Sequence, residues 1–218
     1  MMDMIVKICG LSTPESVALA RDGGATHLGF IFYSKSPRHV SVEQAGALAQ
    51  LKGKAETVAV TVNAEDDYLD EIVTTMKPDL LQLHGGESLE RIAALRQRHG
   101  LPIIKAMAVR EADDLNTISH YAPHVDLLLV DAKPPKGADL PGGNGVTFDW
   151  SLVENLASET PMLLSGGISM DNLDEAIGHV RNTANALAGL DLSSGVESAP
   201  GVKDGDKIKA LLARCRDA

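Results

Sequence analysis

The chain has 218 residues, 44% of them apolar but only 3% aromatic, and carries a formal net charge of −10. That length supports one large core, and an acidic balance without a Lys/Arg cluster argues against nucleic acid or an anionic membrane surface as partner. No run approaches the ~20 apolar residues of a membrane span, Met1-Met2-Asp3 opens no leader and two cysteines make no disulfide framework, so a reduced, cytoplasmic, single-domain protein is expected, with a Cys9–Cys215 bridge left open.

The first apolar run, 4–9, reads as a strand with Ile5, Lys7 and Cys9 on one face and Met4, Val6 and Ile8 on the other. Lys7 thus shares a face with Cys9, where a nearby ammonium would favour the reactive thiolate; a buried inert thiol is the plainer alternative. Gly10 ends the strand, and Thr13-Pro14 reads as the N-cap and first residue of a helix over 14–22. A second strand, 27–32, leads into Tyr33-Ser34-Lys35-Ser36-Pro37-Arg38, and Ser41 with Gln44 reads as a capping box opening a helix over 42–51. Arg38 could grip a carboxylate with two N–H groups or stand solvated in its loop, and His39 reads as structural or exposed.

Strands at 57–62, 79–84 and 102–107 alternate with helices at 66–76, 88–99 and 111–121. The fourth strand ends in His84 before Gly85-Gly86; with no second histidine at ligand spacing, no metal is expected. A sixth strand, 125–131, ends in Asp131 after Leu127-Leu128-Leu129-Val130, where burial could raise the carboxyl pKa and suit it to acid work. A helix cap or a surface carboxylate is the alternative. The long irregular stretch 133–145 reads as a binding loop or as a disordered segment, and Trp150 as a packing anchor for a helix over 150–157. Strands at 161–165 and 187–192, with helices at 171–180 and 204–214, complete the chain.

Eight βα units in this length predict a single-domain (β/α)8 TIM barrel, and no G-x-G-x-x-G follows the first strand to suggest an open nucleotide-binding sheet. In such a barrel the active site lies at the C-terminal ends of the strands, where Cys9, Arg38, His84, Asp131 and Asp191 would collect. Ser165-Gly166-Gly167 and Ser193-Ser194-Gly195 follow strands seven and eight, the usual phosphate position of the fold, with backbone N–H groups open to an anion. Either run alone would equally mark a tight turn.

Lys7-Ile8-Cys9-Gly10-Leu11, Gly29-Phe30-Ile31-Phe32-Tyr33 with Ser36-Pro37-Arg38, and Leu81-Gln82-Leu83-His84-Gly85 resemble the phosphoribosylanthranilate isomerases. So do Val130-Asp131, Gly142-Gly143-Asn144-Gly145 with Thr147-Phe148-Asp149-Trp150, Leu164-Ser165-Gly166-Gly167-Ile168, and Asp191-Leu192-Ser193-Ser194-Gly195-Val196-Glu197. The resemblance runs from residue 5 to about residue 209. It implies a cofactor-free Amadori rearrangement of N-(5-phosphoribosyl)anthranilate, a small-molecule substrate, in tryptophan biosynthesis. Asp131 would be the general acid and Cys9 the general base. Arg38 would pair with the anthranilate carboxylate, Asp191 would meet a sugar hydroxyl, and amides near Gly166, Gly167, Ser194 and Gly195 would hold the phosphate, with His84 and Ser193 also at the substrate. Ala132, where the family often has Thr, and a longer loop from Lys133 to Pro141 depart from the pattern.

Two rival readings share the fold. One is another sugar-phosphate barrel enzyme, such as an aldolase forming a Schiff base on Lys7, Lys105 or Lys133. The other is a non-catalytic binder of a phosphate ligand. Oligomeric state is not legible without coordinates.

Overall fold

The computed structural model describes residues 4–133, 142, 147–154, 156, 158–182 and 186–218. Eight parallel strands pair in chain order and close on themselves: β1 (Ile5–Cys9), β2 (His27–Phe32), β3 (Glu56–Thr61), β4 (Leu80–Leu83), β5 (Ile103–Val109), β6 (Leu127–Ala132), β7 (Met162–Leu164) and β8 (Leu187–Leu192). Between and after them run α1 (Pro14–Gly23), α2 (Val42–Ala49), α3 (Asp66–Met76), α4 (Leu89–His99), α5 (Asp114–Tyr121), α6 (Ser151–Glu154), α7 (Leu173–Asn182) and α8 (Gly205–Asp217). The (β/α)8 expectation is met, with strand ends shifted by one or two residues.

Side chains alternate along each strand, and this divides the apolar residues into two bodies. Val58, Val60, Leu80, Ile104, Ala106, Leu127, Leu129 and Leu163 point inward and fill the barrel beneath Cys9. Ile8, Leu28, Phe30, Leu81, Leu83, Leu128, Val130 and Leu164 point outward into the layer beneath the helices, where Trp150 is buried as expected. The seam is closed by β1 on β8, with Ile5 opposite Gly189 and Lys7 opposite Asp191. A Cβ at Gly189 would stand 1.9 Å from the Ile5 carbonyl oxygen, so only glycine permits that approach.

Local chemistry sets the helix starts. Thr13 caps α1 and forms a reciprocal box with Ser16. At α2 Ser41 accepts from the Gln44 N–H as expected, but the Gln44 side chain donates to the Ser12 carbonyl at 2.8 Å, so the predicted box is half formed. Within the predicted sixth helix the described residues show the turn of α6, with 155 and 157 outside them, and α5 begins at Asp114 after a turn. Of the predicted long stretch 133–145, only Lys133 and Gly142 fall within the described residues.

Past β8 the sequence reading missed a 3-10 turn (Ser194–Val196) and a hairpin of β9 (Glu197–Ala199) with β10 (Val202–Lys203). Its Pro200-Gly201 turn was a legible signal, and Gly201 adopts φ +82° against the Pro37 carbonyl, where a Cβ would lie 2.4 Å away. The hairpin therefore packs on the loop after β2. Both cysteines are free and buried, so no Cys9–Cys215 bridge forms.

Candidate active site

The C-terminal ends of the strands surround a cleft of about 800 Å³ including its mouth, a size suited to one small molecule. Cys9, Arg38, His84, Asp131, Gly166, Gly167, Asp191, Ser193 and Ser194 all line it. Gly195 does not; it sits behind in the 3-10 turn, where a Cβ would come within 1.9 Å of the Ile168 carbonyl oxygen. Ser165, from the run expected at the phosphate position, also lines the cleft, and so do Gln82, Tyr33 and Ser36, to which the sequence assigns no role. Period-two alternation back from His84 along β4 would have found Gln82.

Asp131 is buried near the end of β6, where its Oδ1 accepts from the Ala132 N–H at 2.8 Å. Its Oδ2 lies 3.6 Å from His84 Nε2, and the other ring nitrogen of His84 stands 2.9 Å from Gln82 Nε2. Gln82 Oε1 is buried without a protein partner. Two glycines crowd the Asp131 carboxyl: a Cβ at Gly142 would stand 2.6 Å from Asp131 Oδ2 and 2.5 Å from His84 Nε2, and one at Gly166 3.1 Å from Asp131 Oδ1. Gly166 and Gly167 have φ of +88° and +64°, a left-handed pair that a larger residue would strain.

On the other side of the barrel mouth, Lys7 Nζ donates to Asp191 Oδ1 at 2.7 Å and is wholly buried. Ser165 Oγ donates to Asp191 Oδ2 at 3.1 Å, so both carboxylate oxygens are engaged. Burial alone would lower the Lys7 pKa, yet the Asp191 carboxylate holds it above the usual lysine value. Burial pushes the Cys9 thiol up, and the Lys7 ammonium beside it pulls the other way without winning.

Arg38 is buried too, and its donors are directed differently from the expectation. Nε and Nη2 each donate to a Glu197 oxygen at 2.8 Å. Lys203 Nζ adds a third contact on Glu197 Oε1 at 2.9 Å and also donates to the Ser193 carbonyl at 2.8 Å. Among the described residues, two cations thus surround the one Glu197 carboxylate. Ser193 Oγ in turn donates to the Cys9 carbonyl at 3.2 Å, which ties the hairpin to β1.

None of the three lysines considered as Schiff-base nucleophiles lines the cleft. Lys7 is locked by Asp191. Lys105 points to the outer face of β5, where it donates to Glu87 and to the carbonyls of Leu83, Gly85 and Ala106, and Lys133 pairs with Asp114 at 2.9 Å. Among the described residues no group of three His, Cys, Asp or Glu side chains gathers as a metal site, and no helix is long and apolar enough to cross a membrane.

The chain is similar to known proteins over nearly its whole length. The family model described as N-(5'phosphoribosyl)anthranilate (PRA) isomerase matches residues 6–214. N-(5'-phosphoribosyl)anthranilate isomerase of Brucella canis is 51% identical over 218 residues, which is 100% of this chain and 96% of that protein. The crystal structure of phosphoribosyl anthranilate isomerase from Thermotoga maritima superposes with TM-score 0.86 at 32% identity, covering 99% of this chain and 100% of that one. Another such isomerase, solved in complex with reduced 1-(o-carboxyphenylamino)-1-deoxyribulose 5-phosphate, superposes with TM-score 0.82 at 30% identity, covering 99% and 100%. By the extent of the family match and by full-length identity to its members, the chain belongs to the N-(5'-phosphoribosyl)anthranilate isomerase family.

Proposed function

We propose that the chain carries out the Amadori rearrangement of N-(5-phosphoribosyl)anthranilate to 1-(2-carboxyphenylamino)-1-deoxyribulose 5-phosphate, a cytoplasmic step of tryptophan biosynthesis, with Asp131 as general acid and Cys9 as general base. The observation that carries this reading is the shared cleft: a buried carboxyl on β6 and a buried thiol on β1 open into one space that Arg38, Gly166 and Gly167 also line.

Asp131 gives its proton to the furanose ring oxygen as the C1–O bond breaks, and the ring opens to a protonated Schiff base. Cys9, as thiolate, then takes the proton from C2, and the C2–H electron pair forms the C1–C2 double bond of an enolamine while the C1–N bond becomes single. Tautomerisation places the carbonyl at C2. Hydrogen is redistributed within the substrate, so the step as written consumes no oxidant, reductant or cofactor. A carboxyl that gives a proton and a thiolate that takes one need distinct environments, which β6 and β1 supply.

The substrate carries an anion at each end, and the cleft offers a holder for each. Arg38, which lines the cleft wall, takes the anthranilate carboxylate. Amides around Gly166, Gly167 and Ser194 take the phosphate, while Asp191, Ser193, His84 and Gln82 Oε1 face the sugar and the bridging nitrogen. Holding both ends fixes the sugar between acid and base, which lowers the barrier by positioning. The test is to generate phosphoribosylanthranilate in situ from anthranilate and phosphoribosyl pyrophosphate with the preceding enzyme, and to follow loss of its fluorescence. Acceleration by this protein is expected; none at all would leave only a phosphate-binding barrel.

A further inference from the structure

Cys9 has to become a thiolate inside a barrel that penalises charge. Burial raises its pKa, and the residues around it are the means of offsetting that. β1 sets Lys7 two residues before Cys9 on the inward face, and β2 puts Gly29 opposite Cys9 in register. Both functional groups converge on that glycine: a Cβ on Gly29 would stand 3.0 Å from Cys9 Sγ and 3.1 Å from Lys7 Nζ. Any side chain at 29 would fill the space the two share.

We propose that Lys7 is the charge partner of Cys9, an ammonium fixed by Asp191 in the barrel interior that stabilises the thiolate across the gap kept open by Gly29. The inference rests on the reading of Cys9 as the base and names the residue that makes the base available. Lys7 is wholly buried, does not line the cleft and is held at 2.7 Å by Asp191, so it acts through Cys9 and is a positioning residue rather than a catalytic one. The other charges that face this spot are few. Asp191 on β8 opposes the thiolate, and Lys203 on β10 supports it from the hairpin side. From β2, His27 stands near Lys7 but is driven toward its neutral form by burial, with Glu56 opposing. Arg38 and Asp131 stand on other parts of the cleft wall. Asp191 thereby has a second use beside any contact with the sugar: it keeps the lysine charged in a place where burial alone would discharge it.

The experiment titrates the thiol directly, without reference to turnover. In a Cys215→Ala background Cys9 is the only cysteine, and the rate of inactivation by iodoacetamide is measured against pH, with the ultraviolet absorbance of the thiolate as a second probe. Lys7→Met is expected to move the midpoint upward and to slow alkylation at neutral pH by about tenfold or more, whereas Lys7→Arg keeps the midpoint near that of the parent. Because Lys7→Met alone leaves Asp191 buried and unpaired, Lys7→Met/Asp191→Asn is measured beside it, and its midpoint should also lie above the parent value. A parent-like midpoint in the double variant would show that Lys7 only neutralises Asp191, and would overturn the inference. An active Cys9→Ser variant would instead remove the base assignment while leaving the titration result standing, so the two ideas fail separately.

Discussion

Arg38 and Glu197 meet edge to edge at 2.8 Å on both contacts, although 159 residues separate them in the chain. Both are buried, and the pair joins the loop after β2 to the hairpin that follows β8. Arginine suits this place because its planar fork matches a carboxylate in two parallel hydrogen bonds. A single direction is thereby imposed on the guanidinium at the cleft wall.

Glu197→Gln should therefore weaken binding more than chemistry. Affinity for the reduced product, measured by calorimetry, is expected to fall about tenfold, the cost of one charged hydrogen bond, with kcat changing less. An Arg38→Ala variant should show the same division more strongly, and a pure kcat defect there would count against a carboxylate clamp.

Glu197 also gives a signed pH dependence of stability. Burial would raise its pKa, but Arg38 and Lys203 prevail and hold it below the usual glutamate range. A depressed carboxylate stabilises the fold above its unfolded pKa, near ~4.3, and that stability drains away as pH falls through the lower folded value. Urea unfolding followed from pH 7 downward should show this acid loss in the parent, and Glu197→Gln should flatten it.

Cys9→Ser and Asp131→Asn should each lower kcat by about a hundredfold or more, the usual scale of one acid or base, while the reduced product binds nearly as before. The two roles act on the transition state, so kcat and kcat/KM should fall together. Near-normal turnover in Cys9→Ser would reassign the base.

Gly142→Ala tests how closely the chain approaches the acid. Its methyl would fall 2.6 Å from Asp131 Oδ2 and 2.5 Å from His84 Nε2, so one of these must move. Turnover is expected to drop about tenfold or more, since small misplacements at a reacting centre cost that much, with little change in Tm. Wild-type kcat in this variant would show that the segment yields freely.

Borohydride added with substrate should leave the protein unlabelled by mass spectrometry. Lys105 serves the fold instead: Lys105→Met strands Glu87, which also accepts from the Asn63 and Gly85 amides, and should cost about 3–5 kcal/mol in urea unfolding. A covalent adduct on any lysine would revive the Schiff-base reading.

The barrel was legible because apolar runs and amphipathic stretches alternate at regular spacing, and buried parallel strands leave that signature directly in the composition. The cleft was legible wherever a strand ends in a polar residue, as at Cys9, Asp131 and Asp191. Arg38 was found as a cleft residue but not as one arm of an ion pair, because its partner lies at the far end of the chain. Glu197 enters only as the last residue of the run 191–197 and Lys203 not at all; only closure of the sheet brings them under the loop after β2. Gln82 was hidden differently, by an apolar strand that looked uniform until its inward face was separated from its outward one.

Lys7 meets Asp191, and Ser193 meets the carbonyl of Cys9, each across 184 residues of chain. The thiol therefore acquires its electrostatic surroundings only when the last strand docks beside the first. During synthesis β1 emerges early and must wait for β8 and the hairpin, so an unclosed barrel holds an ordinary cysteine and no clamp. Contacts of such long sequence separation form late because loop closure has to come first. With the roles proposed for Cys9 and Arg38, isomerase activity recovered during refolding should track the final closure of the seam, where the two ends of the chain join, rather than the appearance of helices.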